Sequence, residues 1–133
     1  MTSDICYCSS LRAAERRMTR AYDDALAPSG INVAQFSLLR KIQRNEPASL
    51  TRIGEIMDLD RSTVGRNIRV LAKLGLTEIA TGEDLRESSV MLTEQGRQTI
   101  ATALPLWQAT QEKIETILGG DMAKALQTLP TAF

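Results

Sequence analysis

Between residues 61 and 77 the chain carries four basic side chains and no acidic one. Arg61, Arg66, Arg69 and Lys73 are interleaved there with the hydroxyls of Ser62 and Thr63 and the amide of Asn67. Val64, Ile68 and Leu71 recur at i, i+4 and i+7, the spacing of one helix face. At about 100° per residue, that stripe leaves Ser62, Arg66, Arg69 and Lys73 together on the opposite side. Such a face suits DNA. Arginine pairs bidentately with guanine edges in the major groove, and short hydroxyls reach bases or phosphates. The first turn of a helix also presents free N–H groups that favour phosphate. The plainer reading is an amphipathic helical hairpin with a solvated basic face. The one-signed charge favours DNA.

The flanking residues would hold this helix in place. Residues 50–57 read as a short helix with Ile53, Ile56 and Met57 on its apolar face and small Gly54 where another helix could approach. Asp58-Leu59-Asp60 makes a tight turn, and Asp60 is the expected N-cap of the helix over 61–74. Gly75 ends that helix, as glycine does at C′. Two helices and a short turn of this kind form a helix-turn-helix. Upstream, Asn32 and Gln35 make a capping box for a helix containing Phe36, Leu38, Leu39 and Ile42; Asn45-Glu46-Pro47 ends it, and Ser49 caps the next. Downstream, residues 76–80 and 87–92 alternate weakly through Thr77, Ile79, Val90 and Leu92, around a polar tip at 81–86. A hairpin in that place is the wing of a winged helix, and Arg86 on it is a candidate for a narrow minor groove.

Two long helices frame the motif. Residues 5–27 place Ile5, Cys8, Leu11, Glu15, Met18, Tyr22 and Ala25 at steps of three and four, apolar but for Glu15, with Pro28-Ser29-Gly30 as the stop. Thr93 and Glu94 open a helix over 94–118 whose apolar positions are Ile100, Leu104, Trp107, Ile114, Ile117 and Leu118. Pro105 removes one backbone bond and should bend it. Gly119-Gly120 breaks it, and Asp121 is the expected cap of a last helix reaching 129. One winged-helix core cannot cover this apolar stripe, so residues 1–30 and 94–133 are expected to form a helical dimerisation layer around a DNA-binding region at 31–93. The fold class is therefore mainly α with a small β-hairpin wing, a winged helix-turn-helix plus a helical dimerisation layer.

Composition narrows the function. A chain of 133 residues suits one domain. Its formal net charge is zero, but residues 1–77 hold 12 basic and 8 acidic side chains and residues 78–133 hold 4 and 8, so the halves are +4 and −4. Local basic patches bind phosphate even when the total cancels. No apolar run has the length of a membrane span and the N-terminus lacks a signal-peptide core, so a cytoplasmic protein with no membrane partner is expected. Histidine is absent, which removes serine–histidine and cysteine–histidine catalysis. An enzyme is not expected, nor a cofactor or a metal. Arg12 and Arg16, on a basic first helix, read either as a solvated face or as partners of an anionic ligand or carboxylate. Cys6 and Cys8 are too close in sequence to staple a fold and are expected to be reduced. Near a helix N-terminus the Cys6 thiol is activated, so it reads as a redox or electrophile sensor with Cys8 as a second thiol. The competing readings are a small packing residue and a soft-metal ligand.

Over nearly its full length the chain resembles the MarR family (multiple antibiotic resistance regulators). The matching residues are Gln35-Phe36, Asp60-Arg61-Ser62-Thr63-Val64, Leu74-Gly75-Leu76, Asp84-x-Arg86 and Leu92-Thr93-Glu94-Gln95-Gly96. The resemblance implies a homodimer on a pseudo-palindromic operator, usually a repressor relieved by a small-molecule effector or an oxidant. It also implies an effector pocket between the DNA-binding region and the dimer helices, for which Arg12, Arg16 and Phe36 are candidates. The wing departs from the family's Asp-x-Arg-Asp-x-Arg, with Thr81 and Glu83 in place of the first Asp and Arg. Ile5-Cys6-Tyr7 is similar to the peroxide-sensing branch, although Phe36 stands where that branch has a tyrosine. The alternative is a winged helix used for protein–protein contact without an operator. Such a face would favour exposed aromatics over Ser62, Arg66 and Arg69.

Overall fold

The computed structural model describes residues 4–81 and 88–133. Helix α1 spans Tyr7–Leu26, followed by a 3₁₀ turn at Ala27–Ser29. Then come α2 (Val33–Asn45), β1 (Ala48–Ser49), α3 (Leu50–Met57) and α4 (Arg61–Lys73). Strands β2 (Thr77–Thr81) and β3 (Ser88–Leu92) precede α5 (Glu94–Leu118) and α6 (Gly120–Thr128).

Local chemistry accounts for most of the boundaries. Asn32 accepts from the Gln35 amide at 2.8 Å while the Gln35 side chain accepts from the Asn32 amide at 3.0 Å, so the capping box is complete. Ser49 caps α3 through the Arg52 amide, and Thr93 caps α5 through the Gly96 amide. Asp58 takes φ 54° at the end of α3, a left-handed position that aspartate tolerates. Gly75 follows α4 with φ 78°.

Some elements differ from the sequence-based expectation. Helix α1 starts at Tyr7, and Cys6 is its extended N-cap rather than a residue within it. The sheet has three antiparallel strands in the order β1-β3-β2. The extra strand is only two residues long, too short for any periodicity, and exists because Ala48 and Ser49 register against Val90 and Ser89. Helix α6 is entered through Gly119, and Asp121 lies inside its first turn instead of capping it. Helix α5 has the expected span, Glu94–Leu118, with Pro105 inside it.

One core joins the helix-turn-helix to the flanking helices. Leu26 of α1 and Ile100 and Ala103 of α5 belong to the same buried cluster as Leu39, Ile42, Ile53, Val64, Ile68 and Leu71. The start of α5 is pinned closely to the end of α4. Thr93 donates its hydroxyl to the Gly75 carbonyl at 2.6 Å and its amide to the Leu76 carbonyl at 3.1 Å. A Cβ at Gly96 would lie 2.1 Å from that Leu76 oxygen, so only glycine fits the crossing. No helix among the described residues is long and apolar enough to cross a membrane.

Candidate nucleic-acid interface

Helix α4 buries Val64, Ile68 and Leu71 against the core, and that anchoring turns its other side outward. Arg61, Ser62, Arg66, Asn67, Arg69 and Lys73 are all exposed, and Thr63 is half-buried. The start of the helix is organised by Asp60. Its carboxylate accepts the Thr63 amide at 2.8 Å and the Thr63 hydroxyl at 3.1 Å. Those two bonds, the amide first, hold the Asp60 carboxyl below the usual carboxylate range. The Thr63 hydroxyl in turn accepts from Nη2 of Arg66 at 3.3 Å. Asp60, Thr63 and Arg66 thus form one chain, and Thr63 spends its hydroxyl within the protein, orienting Arg66.

The sequence-derived residues separate into groups. Ser62, Arg66, Arg69 and Lys73 share the outer face, as the helical spacing requires. Asn67 sits on the flank toward α2, lining a shallow cleft with Gln35, Leu38 and Val70. Arg61 borders a different hollow, beside Ser49 and Ser88 of the sheet. Arg86 and the rest of the wing tip lie outside the described residues. The arrangement offers cations, the Ser62 hydroxyl and a helix N-terminus on the outer side of α4, a combination suited to polyanions.

A second site lies where α1, α2 and α5 meet. A cleft of about 450 Å³ is lined by Tyr22, Phe36, Trp107 and Gln111, with Arg40, Lys41 and Arg44 among its polar wall. Phe36 is 3% exposed and packs on Trp107 with ring centroids 5.7 Å apart, tilted by 35°. The Tyr22 hydroxyl donates to Oε1 of Gln111 across the cleft. Burial, then the charge of Glu115, raises the Tyr22 pKa. Phe36, one of the three candidates named for an effector pocket, lines this cleft. Arg12 and Arg16, the other two, are exposed on α1 and do not line it. The cations that face this cleft come from α2, whose charges the sequence reading left unassigned. Their spacing at positions 40, 41 and 44 was the available signal, but only packing shows which face they serve.

Cys6 and Cys8 are free thiols and both are exposed. The Ser9 hydroxyl, then the amides of Ser9 and Cys8, hold the Cys6 thiol below its usual range. Neither thiol belongs to the buried core of the single chain.

Three helices, a tight turn and a strand pair in this order define a winged helix-turn-helix. Residues 29–87 match the family model of the MarR family. The chain is similar to the transcriptional regulator MosR of M. tuberculosis, solved in complex with DNA, at 31% identity. That match covers 96% of each chain with a TM-score of 0.86. It is also similar to CouR, a transcriptional repressor bound to a 23-mer DNA duplex, at 26% identity, covering 95% of this chain and 90% of that one with a TM-score of 0.84. An uncharacterised HTH-type transcriptional regulator of Bacillus subtilis (strain 168), YwoH, is 28% identical over 83 residues; the match spans 62% of this chain and 61% of that relative. The chain belongs to the MarR family, a family of DNA-binding transcriptional regulators rather than enzymes.

Proposed function

We propose that this chain is a homodimeric repressor that reads a pseudo-palindromic operator in double-stranded DNA with α4 and is released by a small molecule or an oxidant. The observation that carries the DNA reading is the one-signed outer face of α4, with Asp60 fixing its start and Arg66. Ser62, Arg66, Arg69 and Lys73 contact the groove, Arg61 and Arg86 flank it, and Asn67 supports the side toward α2. Residues 31–93 act as the DNA-binding region and residues 1–30 and 94–133 as the dimerisation region. The exposed apolar groove between α1 and the C-terminal segment supports this division. It is lined by Leu11, Met18, Leu126, Leu129 and Phe133 and holds about 540 Å³, and a second copy would cover it. The protein would work in the cytoplasm, where its DNA is.

The effector site in this reading is the α1–α2–α5 cleft. Its aromatic floor of Phe36 and Trp107 and its cations from α2 suit a flat organic anion. Cys6, exposed and activated, is the site of oxidation, with Cys8 nearby. Selection of bound duplexes from random DNA, followed by a salt titration, tests the function. A recovered palindrome whose affinity falls steeply with salt is expected. Recovery of no preferred sequence would remove the operator reading and favour a protein-contact module.

A further inference from the structure

Gly65 stands in the middle of α4 and is buried, although nothing in the packing of the core demands a glycine there. Gly54 and Gly96 are different, since a Cβ would come within 2.9 Å and 2.1 Å of backbone oxygens at those positions. At Gly65 a Cβ would meet only one side chain among the described residues outside its immediate chain neighbours. It would lie 3.7 Å from Nη2 and 3.9 Å from Cζ of Arg69. Those are ordinary van der Waals distances, so an alanine would fit, and alanine is the better helix former. What covers residue 65 is the guanidinium of Arg69, one turn further on.

We propose that Gly65 is a specificity-determining position that seats the Arg69 guanidinium and sets which base pair it reads. The proposal rests on the DNA reading of α4 and deepens it. Side chains on a helix lean toward its N-terminus, so the long arm of residue 69 runs back over residue 65. A four-residue step is about 6 Å along the axis, nearly two base-pair steps. With no branched side chain at residue 65, Arg69 lies back along the helix and brings its charge over residue 65, one turn nearer the helix start than its own backbone. That is the first half of the helix, the part that reaches base edges in helix-turn-helix complexes. Arg69 makes no hydrogen bond or ion pair among the described residues, so its donor fork is free for a guanine edge. Arg66 differs, since it already donates to Thr63. A γ-branched or β-branched residue at 65 would extend into the space the guanidinium occupies and push the arm outward, toward phosphate. Gly65 acts through Arg69 and is a positioning residue.

The test uses the full chain and random-duplex selection. Gly65→Ala, Gly65→Ser and Gly65→Val are compared with wild type and with Arg69→Ala, each checked by its melting curve. Gly65→Ala should raise the melting temperature by a few degrees and keep the wild-type base preference. Gly65→Val should lower the ratio of specific to non-specific affinity by about 5- to 150-fold, the value of one bidentate arginine–base pair. It should relax the same operator position that Arg69→Ala relaxes and leave the non-specific, salt-sensitive affinity in place. In the double variant the two losses should not add. Gly65→Ser, which adds a single γ atom, should shift the same position more weakly and is read alone if the valine variant does not fold. Unchanged preference in both variants, or losses that add to Arg69→Ala, would overturn the proposal. If wild type selects no sequence at all, the DNA reading fails instead.

Discussion

Glu46 ties the end of β3 to the first turn of α5, and its removal has a calculable cost. The β1–β3 register pairs Ala48 with Val90, so continuing it would set residue 46 opposite Leu92. The backbone leaves the sheet before that point. The Glu46 side chain takes over, accepting the Leu92 amide at Oε2 at 2.8 Å and the Arg97 guanidinium at Oε1. The Glu46 side chain is 13% exposed and that of Arg97 is 41% exposed. In Glu46→Ala the amide of Leu92, a residue only 5% exposed, loses its partner, at about 1–3 kcal/mol. The Arg97 pair, discounted for its exposure, adds about 0.5–1 kcal/mol. The expected total is about 2–4 kcal/mol, or about 5–15 °C in melting temperature for a chain of this size. Glu46→Gln keeps an acceptor for Leu92 and should cost only about 1 kcal/mol. Thermal melts at one fixed protomer concentration measure both, because oligomer melting depends on concentration. Equal losses for the two variants, or an alanine variant within about 0.5 kcal/mol of wild type, would refute this account.

The other predictions concern the interface, the cap, the dimer and the thiols. Arg66→Ala and Arg69→Ala should each weaken operator binding by about 1–3 kcal/mol with little change in melting temperature; unchanged affinity in both would remove the assignment of α4 as the reading helix. The folded-state pKa of Asp60 is depressed, so its stabilising effect is complete above the ordinary carboxylate pKa and disappears as pH falls through the lowered one. Asp60→Asn should flatten that acid limb of the stability profile, and a profile parallel to wild type would show the cap to be pH-silent. Leu126→Glu should dissociate the dimer in sedimentation at micromolar concentration, whereas a persisting dimer would place the interface elsewhere. Peroxide should release operator from wild type and not from Cys6→Ser, and equal release from the two would clear Cys6 of sensing.

What could be read from the sequence was local. Asn32, Ser49, Asp60 and Thr93 were identifiable as caps because each bonds an amide three residues ahead. The Val64/Ile68/Leu71 stripe fixed the outer face of α4 for the same reason, since period and face belong to one helix. Strand β1 could not be read this way. Its two residues have no pattern of their own and are defined by partners some forty residues away. The Glu46–Leu92 bond likewise joins residues 46 apart. Asp121 was a sound choice of cap by residue type, yet Gly119 with φ 79° already starts the turn into α6. Arg12 and Arg16 lie exposed on α1, outside the cleft that Phe36 lines. A helical stripe says which residues share a face but not which element lies opposite, and the cleft takes its cations from α2 instead.

Helix α2 connects the two sites. One flank carries Phe36, Arg40 and Arg44 into the cleft with α1 and α5. Another carries Gln35 and Leu38 against Asn67 and Val70 of α4. Its buried side chains Leu39 and Ile42 share a core with Ile53, Ile68 and Leu71, and close-packed cores transmit displacement rather than absorb it. The Asp23 carboxylate accepts the Val33 amide at 2.8 Å, tying the start of α2 to α1. A ligand between Phe36 and α5 therefore cannot move α2 without moving the bed on which the reading helix lies. In the proposed reading, such a ligand lowers operator affinity only by the difference in its own affinity for the free and the DNA-bound chain. A tenfold loss of operator affinity thus requires about 1.4 kcal/mol of such difference, comparable to one good hydrogen bond to a charged group. Arg40 and Arg44 are cations of α2 on this cleft, so in the proposed reading a ligand anion would draw that difference from them.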